Sequence, residues 1–265
     1  MKNFMFATLG ASQLVFAQDW DDGHARAELL LVSENYQAGA SLQAAVRITY
    51  EDGWHGYWIN PGDGGMKTEI KWNLPAGWAA GPLQFPAPSR EMTGELACYG
   101  YEGEIVIPVL LSVPANASGE VKLSASLSWL ACNDKGCAPG DAIISAVIAA
   151  GEKQSSQHFS LIQQSLEQLP MANDEIAVTV EETVTGKIAI TLTNTGEFDL
   201  ADTQILPITE QALDPKEPIK MKKIATGFQA IVNKNEYASG SFKDLQLLVA
   251  GKSLKRAIIL TWRKK

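Results

Sequence analysis

Across residues 121–129 (VKLSASLSW) every second side chain is apolar, so Val121, Leu123, Ala125, Leu127 and Trp129 share one face of a strand. Shorter runs that alternate, or that are rich in β-branched residues, cover 27–32, 42–50, 68–72, 104–113 and 142–149. Turn signals separate them: Glu51-Asp52-Gly53, Asn60-Pro61-Gly62, Pro114-Ala115-Asn116 and Pro139-Gly140-Asp141. The Pro- and Gly-rich stretch 75–88 predicts a long connection or an irregular edge, because proline cannot donate to a central ladder. The pattern changes at 155–169, where Phe159, Ile162, Leu166 and Leu169 recur at helical spacing before Pro170 stops the run. Beyond it, 175–181, 187–193, 204–208, 227–233, 245–250 and 256–262 return to short strands, Lys255 and Arg256 giving the last a basic, solvated entry. The pattern predicts an all-β protein of two β domains, 18–152 and 171–265, joined by a short helical linker at 153–170. The second half contains no cysteine and reads as a scaffold.

A length of 265 residues accommodates two such domains. With 22 Lys and Arg against 30 Asp and Glu the net charge is −8, which argues against a nucleic-acid partner, since phosphate neutralisation needs a basic stripe. A hydrophobic share of 46% and a charged share of 20% suit a chain that buries a core. Residues 1–17 look like an address. Lys2 precedes a mostly apolar stretch at 4–16, and Val15 and Ala17 supply small residues before Gln18. This predicts a cleaved secretory signal and a periplasmic location where disulfides persist; the plainer alternative is a buried first strand. No cysteine follows the cleavage point, so a lipoprotein anchor is not indicated.

Candidate chemistry concentrates in three cysteines, Cys98, Cys132 and Cys137. An odd number leaves at least one thiol unpaired within the chain. Cys132-Asn133-Asp134-Lys135-Gly136-Cys137 follows the best-defined strand, and a turn through Gly136 brings the two sulfurs within bonding range. Closing so short a ring constrains the unfolded chain by only about 2 kcal/mol, against about 4 for joining Cys98 to Cys132, so a disulfide kept purely as a staple would do better elsewhere. Lys135 could stabilise a thiolate and Asp134 opposes it. A strand-end turn also offers sulfur to an attacking thiolate. Spacing leaves exchange, a structural disulfide and metal binding all open; a zinc site would need His24 or His55 as a fourth ligand.

Four further segments carry a resemblance. They are His55-Gly56-Tyr57-Trp58-Ile59-Asn60-Pro61-Gly62-Asp63-Gly64-Gly65; Thr68-Glu69-Ile70-Lys71-Trp72 with Leu74-Pro75-Ala76-Gly77-Trp78; Tyr99-Gly100-Tyr101-Glu102-Gly103-Glu104; and Ser128-Trp129-Leu130-Ala131-Cys132 with Cys137-Ala138-Pro139-Gly140. Together, over about residues 25 to 150, they resemble the N-terminal periplasmic domain of DsbD/ScsB-type thiol–disulfide interchange proteins. The resemblance implies an immunoglobulin-like β-sandwich, and we expect two of them. It also implies a redox-active Cys132–Cys137 pair acting as a protein-disulfide reductase without a cofactor. The partners implied are periplasmic thioredoxin-fold or disulfide isomerase proteins. The family's membrane-embedded and thioredoxin-like domains are not in this sequence, so the resemblance implies either an electron donor encoded separately or a longer precursor of which this chain is a fragment. Cys98-Tyr99-Gly100 is similar to the family's aromatic cap segment, which makes Cys98, Tyr99 and Tyr101 candidates for cap or partner contact. Cys98 would then approach Cys132 or Cys137, forming an alternative disulfide or completing a soft-metal site; the plainer reading is a buried thiol packing as a small hydrophobe.

Other features rank lower. Trp54, Tyr57, Trp58, Trp72 and Trp78 could form a sugar-stacking platform, although core packing is the commoner use of such residues. Gly62-Asp63-Gly64-Gly65 lacks the Lys-Ser/Thr of a phosphate loop, and Asp19, Asp21 and Asp22 lack the spacing of a calcium loop. Asn116-Ala117-Ser118 matches a glycosylation triplet. His55 is a candidate base, and beside Trp54 and Tyr57 it reads equally as a packed residue. The competing functions are a non-enzymatic binding or scaffold module with a static disulfide, and copper or zinc handling through the three cysteines.

Overall fold

A computed structural model describes residues 23–264 apart from 197, 199, 201, 202, 239, 241 and 253; the expected signal at 1–17 and Asp19, Asp21 and Asp22 lie outside it. Among the described residues the chain is nearly all β, with one short helix. Its first half holds β1 (Ala25–Leu31), β2 (Asn35–Tyr36), β3 (Ser41–Tyr50), β4 (His55–Gly62), β5 (Glu69–Asn73), β6 (Ala79–Ala80), β7 (Ser89–Thr93), β8 (Leu96–Glu102), β9 (Glu104–Ser112), β10 (Glu120–Asn133) and β11 (Gly136–Ala150). After α1 (Phe159–Glu167) come β12 (Met171–Ala172), β13 (Ala177–Glu182), β14 (Ile188–Thr193), β15 (Gln204–Pro207), β16 (Lys222–Ile224), β17 (Gly227–Val232), β18 (Asp244–Ala250) and β19 (Ile258–Arg263).

Four sheets result. One runs β1-β3-β9-β6 and a larger one β2-β11-β10-β4-β8-β7, with β5 also paired to β10; the second half forms β12-β19-β18-β15 and β13-β14-β17-β16. The alternation of β10 sets its facing: Leu123, Ala125, Leu127 and Trp129 are buried in a core shared with Val46, Ile48, Ile107 and Leu111 of the opposing sheet. A second core collects Ile190 and Leu192 from β14, Phe228 from β17, and Leu247 and Val249 from β18. Between these cores lies the β12-β19-β18-β15 sheet, apolar on both faces. Ile205 and Leu247 point into the second core, whereas their chain neighbours Leu206 and Leu248 belong to the first. The helix also sits on the first core through Ile162, and its C-terminal carbonyls at Leu166 and Leu169 accept from the Arg256 guanidinium at 3.1 and 2.6 Å.

Two departures from the sequence pattern have physical causes. Strands β4 and β8 were not expected, because each is buried on both sides and alternation does not show; β8 is buried from Ala97 to Tyr101. Gly56 and Gly100 permit this pairing, for a Cβ on Gly100 would lie 1.9 Å from the Gly56 carbonyl oxygen. Pro139-Gly140-Asp141 is not a turn but continues β11. Pro139 pairs with Leu130 on a stretch where, among the described residues, no strand pairs with the outer side of β11, and Gly140 leaves room for the Trp129 indole, 2.6 Å from a notional Cβ. Of the stretch 75–88, only Ala79–Ala80 joins a sheet, as expected of a Pro-rich connection.

Candidate functional site

The β10–β11 hairpin closes through Asp134 and Lys135, with Asn133 opposite Gly136 and Cys132 opposite Cys137. The Asn133 carboxamide oxygen accepts from the backbone N–H groups of Lys135 at 2.8 Å and Gly136 at 3.1 Å, so the turn is held by its own hydrogen bonds. Cys132 and Cys137 form a disulfide, with Cα atoms 4.1 Å apart. The two partners differ in exposure: Cys132 is fully buried and Cys137 is exposed.

Strand parity explains what surrounds the pair. Cys132 lies on the face of β10 away from the main core, the face that carries Lys122, Ser126 and Ser128 further back. At Cys132 that face is covered, and Cys132, Tyr57 and Cys98 form a small separate apolar cluster with Leu130 against it. β4 reaches β10 at a single rung, His55 opposite Cys132. His55 and Tyr57 stand two residues apart on the same face, their rings edge to face at 5.4 Å. Both meet the Thr93 hydroxyl, His55 Nε2 at 3.0 Å and the Tyr57 hydroxyl at 3.0 Å; the Cys98 Sγ lies 3.3 Å from the same oxygen. Burial pushes the Tyr57 phenol up to about 12 and raises the Cys98 thiol, keeping both protonated at neutral pH. Burial also lowers the His55 imidazole, an effect opposed by the carboxylates of Glu91, Glu102 and Asp134. An open cleft of about 490 Å³ borders the site, lined by His55, Glu91, Glu102, Asn133, Asp134 and Lys135.

The expected residues do not all converge. Cys132 and Cys137 are together, and Cys98 lies under the same patch as a buried free thiol. β4 runs between β8 and β10, however, and pairs Cys132 with His55 but Cys98 with Gly62, so Cys98 and Cys132 are at least two strand spacings apart, about 9.5 Å or more, where a disulfide needs Cα atoms within about 7 Å. Tyr99 and Tyr101 have the opposite parity to Cys98 and enter the main core, where Tyr101 donates to the Pro86 carbonyl at 2.8 Å and Tyr99 meets Trp58 edge to face. They do not cap the pair; Tyr57 does. Tyr57, Trp58 and Trp78 are buried, which removes a stacking platform, and Trp54 is stacked on His24 at 3.6 Å. Among the described residues no group of three His, Cys, Asp or Glu is placed to hold a metal ion. Thr93 was not foreseen. Its sequence signal is slight, a β-branched residue before Gly94 at the β7–β8 turn, whereas its partners come from two other strands.

The same β7 strand ties the site to the second half. Arg90 donates to the carbonyls of Pro215 at 3.1 Å and Lys216 at 2.8 Å, and the buried Asn60 carboxamide on β4 donates to the Pro207 carbonyl at 2.7 Å.

Residues 26–148 match the family described as thiol:disulfide interchange protein DsbD, N-terminal. Among solved structures, the N-terminal periplasmic domain of ScsB from Proteus mirabilis superposes with a TM-score of 0.70 at 18% identity, covering 94% of this chain and 97% of that one. The major pilin subunit BcpA of Bacillus cereus gives a TM-score of 0.31 at 7% identity, covering 85% of this chain and 59% of that one. No curated protein matches. The ScsB likeness concerns the fold, and it extends across both halves of the chain.

Proposed function

With residues 26–148 belonging to the DsbD N-terminal family, we propose that this protein is a periplasmic thiol–disulfide interchange module that passes electrons through Cys132 and Cys137 to partner proteins. The observation that carries this reading is the setting of the disulfide, one sulfur-bearing residue exposed and the other buried at the tip of a hairpin already closed by its ladder and by Asn133. A bond across two strands that are already paired contributes little as a staple. Exchange, by contrast, needs one accessible sulfur and one protected resolving sulfur. Cys137 is the sulfur a partner meets, and Cys132 resolves the mixed disulfide.

In this reading the two halves are immunoglobulin-like sandwiches, 18–152 and 171–265, with 153–170 as the helical connection and the second half holding β7 and β4 in place. Partners are thioredoxin-fold or isomerase proteins, electrons arrive from a membrane-embedded donor, and residues 1–17 direct export. No helix among the described residues is long and apolar enough to cross a membrane. The test is the redox equilibrium of the chain against glutathione, with thiols read by alkylation and mass spectrometry beside a Cys98→Ala control. A reversible Cys132–Cys137 couple between about −120 and −270 mV supports exchange; a pair still oxidised below about −300 mV makes it a static disulfide and overturns the reading.

A further inference from the structure

In the reduced pair, Cys132 must lose its proton in a place that water does not reach. It is fully buried among Tyr57, Cys98 and Leu130, surroundings that favour the neutral thiol over the thiolate. Register places one ionisable side chain directly beside it. His55 is its cross-strand partner, and antiparallel partners present their side chains on one face with Cβ atoms about 4.5–5.5 Å apart. The ring is fixed by the Thr93 hydroxyl on Nε2 and by the edge of Tyr57, and it lines the open cleft. We propose that His55 accepts the proton of Cys132 during the resolving step and hands it to the cleft, a role that rests on the exchange reading above.

The groups around it support the assignment. Tyr57 and Cys98 are held protonated by burial and cannot accept a proton. Glu91 from β7, Glu102 from β8 and Asp134 from the turn act on the imidazole as negative charges, and Arg90 and Lys135 line the same cleft. Burial keeps the imidazole neutral at pH 7, the form that accepts, and the three carboxylates favour the imidazolium once it forms.

The reaction balances as follows. The Cys137 thiolate attacks one sulfur of a partner disulfide; a Cys137–partner bond forms, the partner's S–S bond breaks, and its second sulfur leaves as a thiolate. Cys132 gives its proton to His55 and attacks the Cys137 sulfur. The intramolecular disulfide forms, the mixed bond breaks, and the partner's first sulfur leaves as a thiolate that takes a proton at the cleft. The dithiol loses two electrons and the partner disulfide gains them.

The full chain, reduced and in a Cys98→Ala background, is mixed with 5,5′-dithiobis(2-nitrobenzoate) and followed by stopped-flow absorbance. Release of the first nitrothiobenzoate reports attack by Cys137, and release of the second reports resolution by Cys132. In His55→Gln the first release keeps its rate while the second slows by about tenfold or more at pH 7. The parent's second phase is flat above the imidazole's titration, whereas that of His55→Gln climbs with pH as the thiol ionises unaided. Thr93→Val keeps the imidazole but not its anchor; it slows the second release by less and retains the flat profile. A His55→Gln second phase that matches the parent in rate and pH profile overturns the proposal. Should that variant fail to fold, a parent second phase still rising about tenfold per pH unit past about pH 7.5 overturns it. A parent protein that stops after one release instead removes the exchange reading itself.

Discussion

Cys132 and Cys137 occupy opposite positions on one rung of the β10–β11 hairpin, yet Cys132 is wholly buried and Cys137 lies open to solvent. The asymmetry comes from what covers each strand. Tyr57 and Cys98 close over β10 at this point, while among the described residues no strand pairs with the outer side of β11 before β2 at Ala149.

Single-cysteine variants will therefore differ in reactivity. In Cys132→Ser the remaining Cys137 is expected to react with iodoacetamide at least about tenfold faster than Cys132 does in Cys137→Ser, as measured by timed alkylation and intact mass. Only Cys132→Ser should accumulate a stable mixed disulfide with an oxidised thioredoxin-fold protein. Equal rates would remove the assignment of Cys137 as the entry point.

Cys98 is expected to stay a thiol through redox cycling, because β4 stands between it and Cys132. Non-reduced peptide maps should contain no peptide linked through Cys98. Replacing it with alanine should leave the glutathione equilibrium unchanged and cost about 1 kcal/mol of stability in urea unfolding, the usual scale for a small buried change.

Stability should fall on acidification through the histidine range. His55 and His158 both have folded-state values below the ordinary 6.5, chiefly from burial. Above that value both are neutral whether the chain is folded or not, and their contribution is complete. As pH drops below 6.5 towards the lower folded values, the unfolded chain takes up protons first and stability is lost. The urea midpoint should decline between about pH 7 and pH 5, and His55→Gln should make that decline shallower. An unchanged slope in the variant would exclude His55 as a contributor.

Asn60→Ala should loosen the contact between the halves. It strands the Pro207 carbonyl, at a cost of about 1–3 kcal/mol in chemical denaturation. Arg90→Ala, by freeing β7 from Pro215 and Lys216, should raise hydrogen exchange at Thr93 and its neighbours while β10 stays protected. Uniform exchange along β7 and β10 in that variant would contradict the anchoring role.

Legibility in the sequence followed burial geometry. β10 could be read because one face meets the core and the other meets solvent over most of its length, so Leu123, Leu127 and Trp129 alternate with Lys122, Ser126 and Ser128. The same alternation lapses at Ala131 and Cys132, both buried, and that lapse marks the site. β4 and β8 hid their strand character behind two-sided burial. The β15 and β18 runs concealed a sheet shared by two cores, since Leu206 and Leu248 read like any other apolar residue. The cysteine pair was visible as a spacing and as part of a resemblance. Thr93 was not, because its importance lies in the His55, Tyr57 and Cys98 atoms gathered around one hydroxyl, a relationship that exists only after three strands have met.

The hairpin's independence from its sulfur bond has a consequence for turnover. Asn133 and the ladder on either side of the cysteines hold the tip in one shape, so reduction removes a bond without removing the scaffold beneath it. In the exchange proposed above, a docking protein would meet the same contour on the oxidised and the reduced forms, and affinity alone would not sort donor from acceptor. Direction would then come from the relative electron affinities of the sulfurs that meet there, and release from mass action among partners.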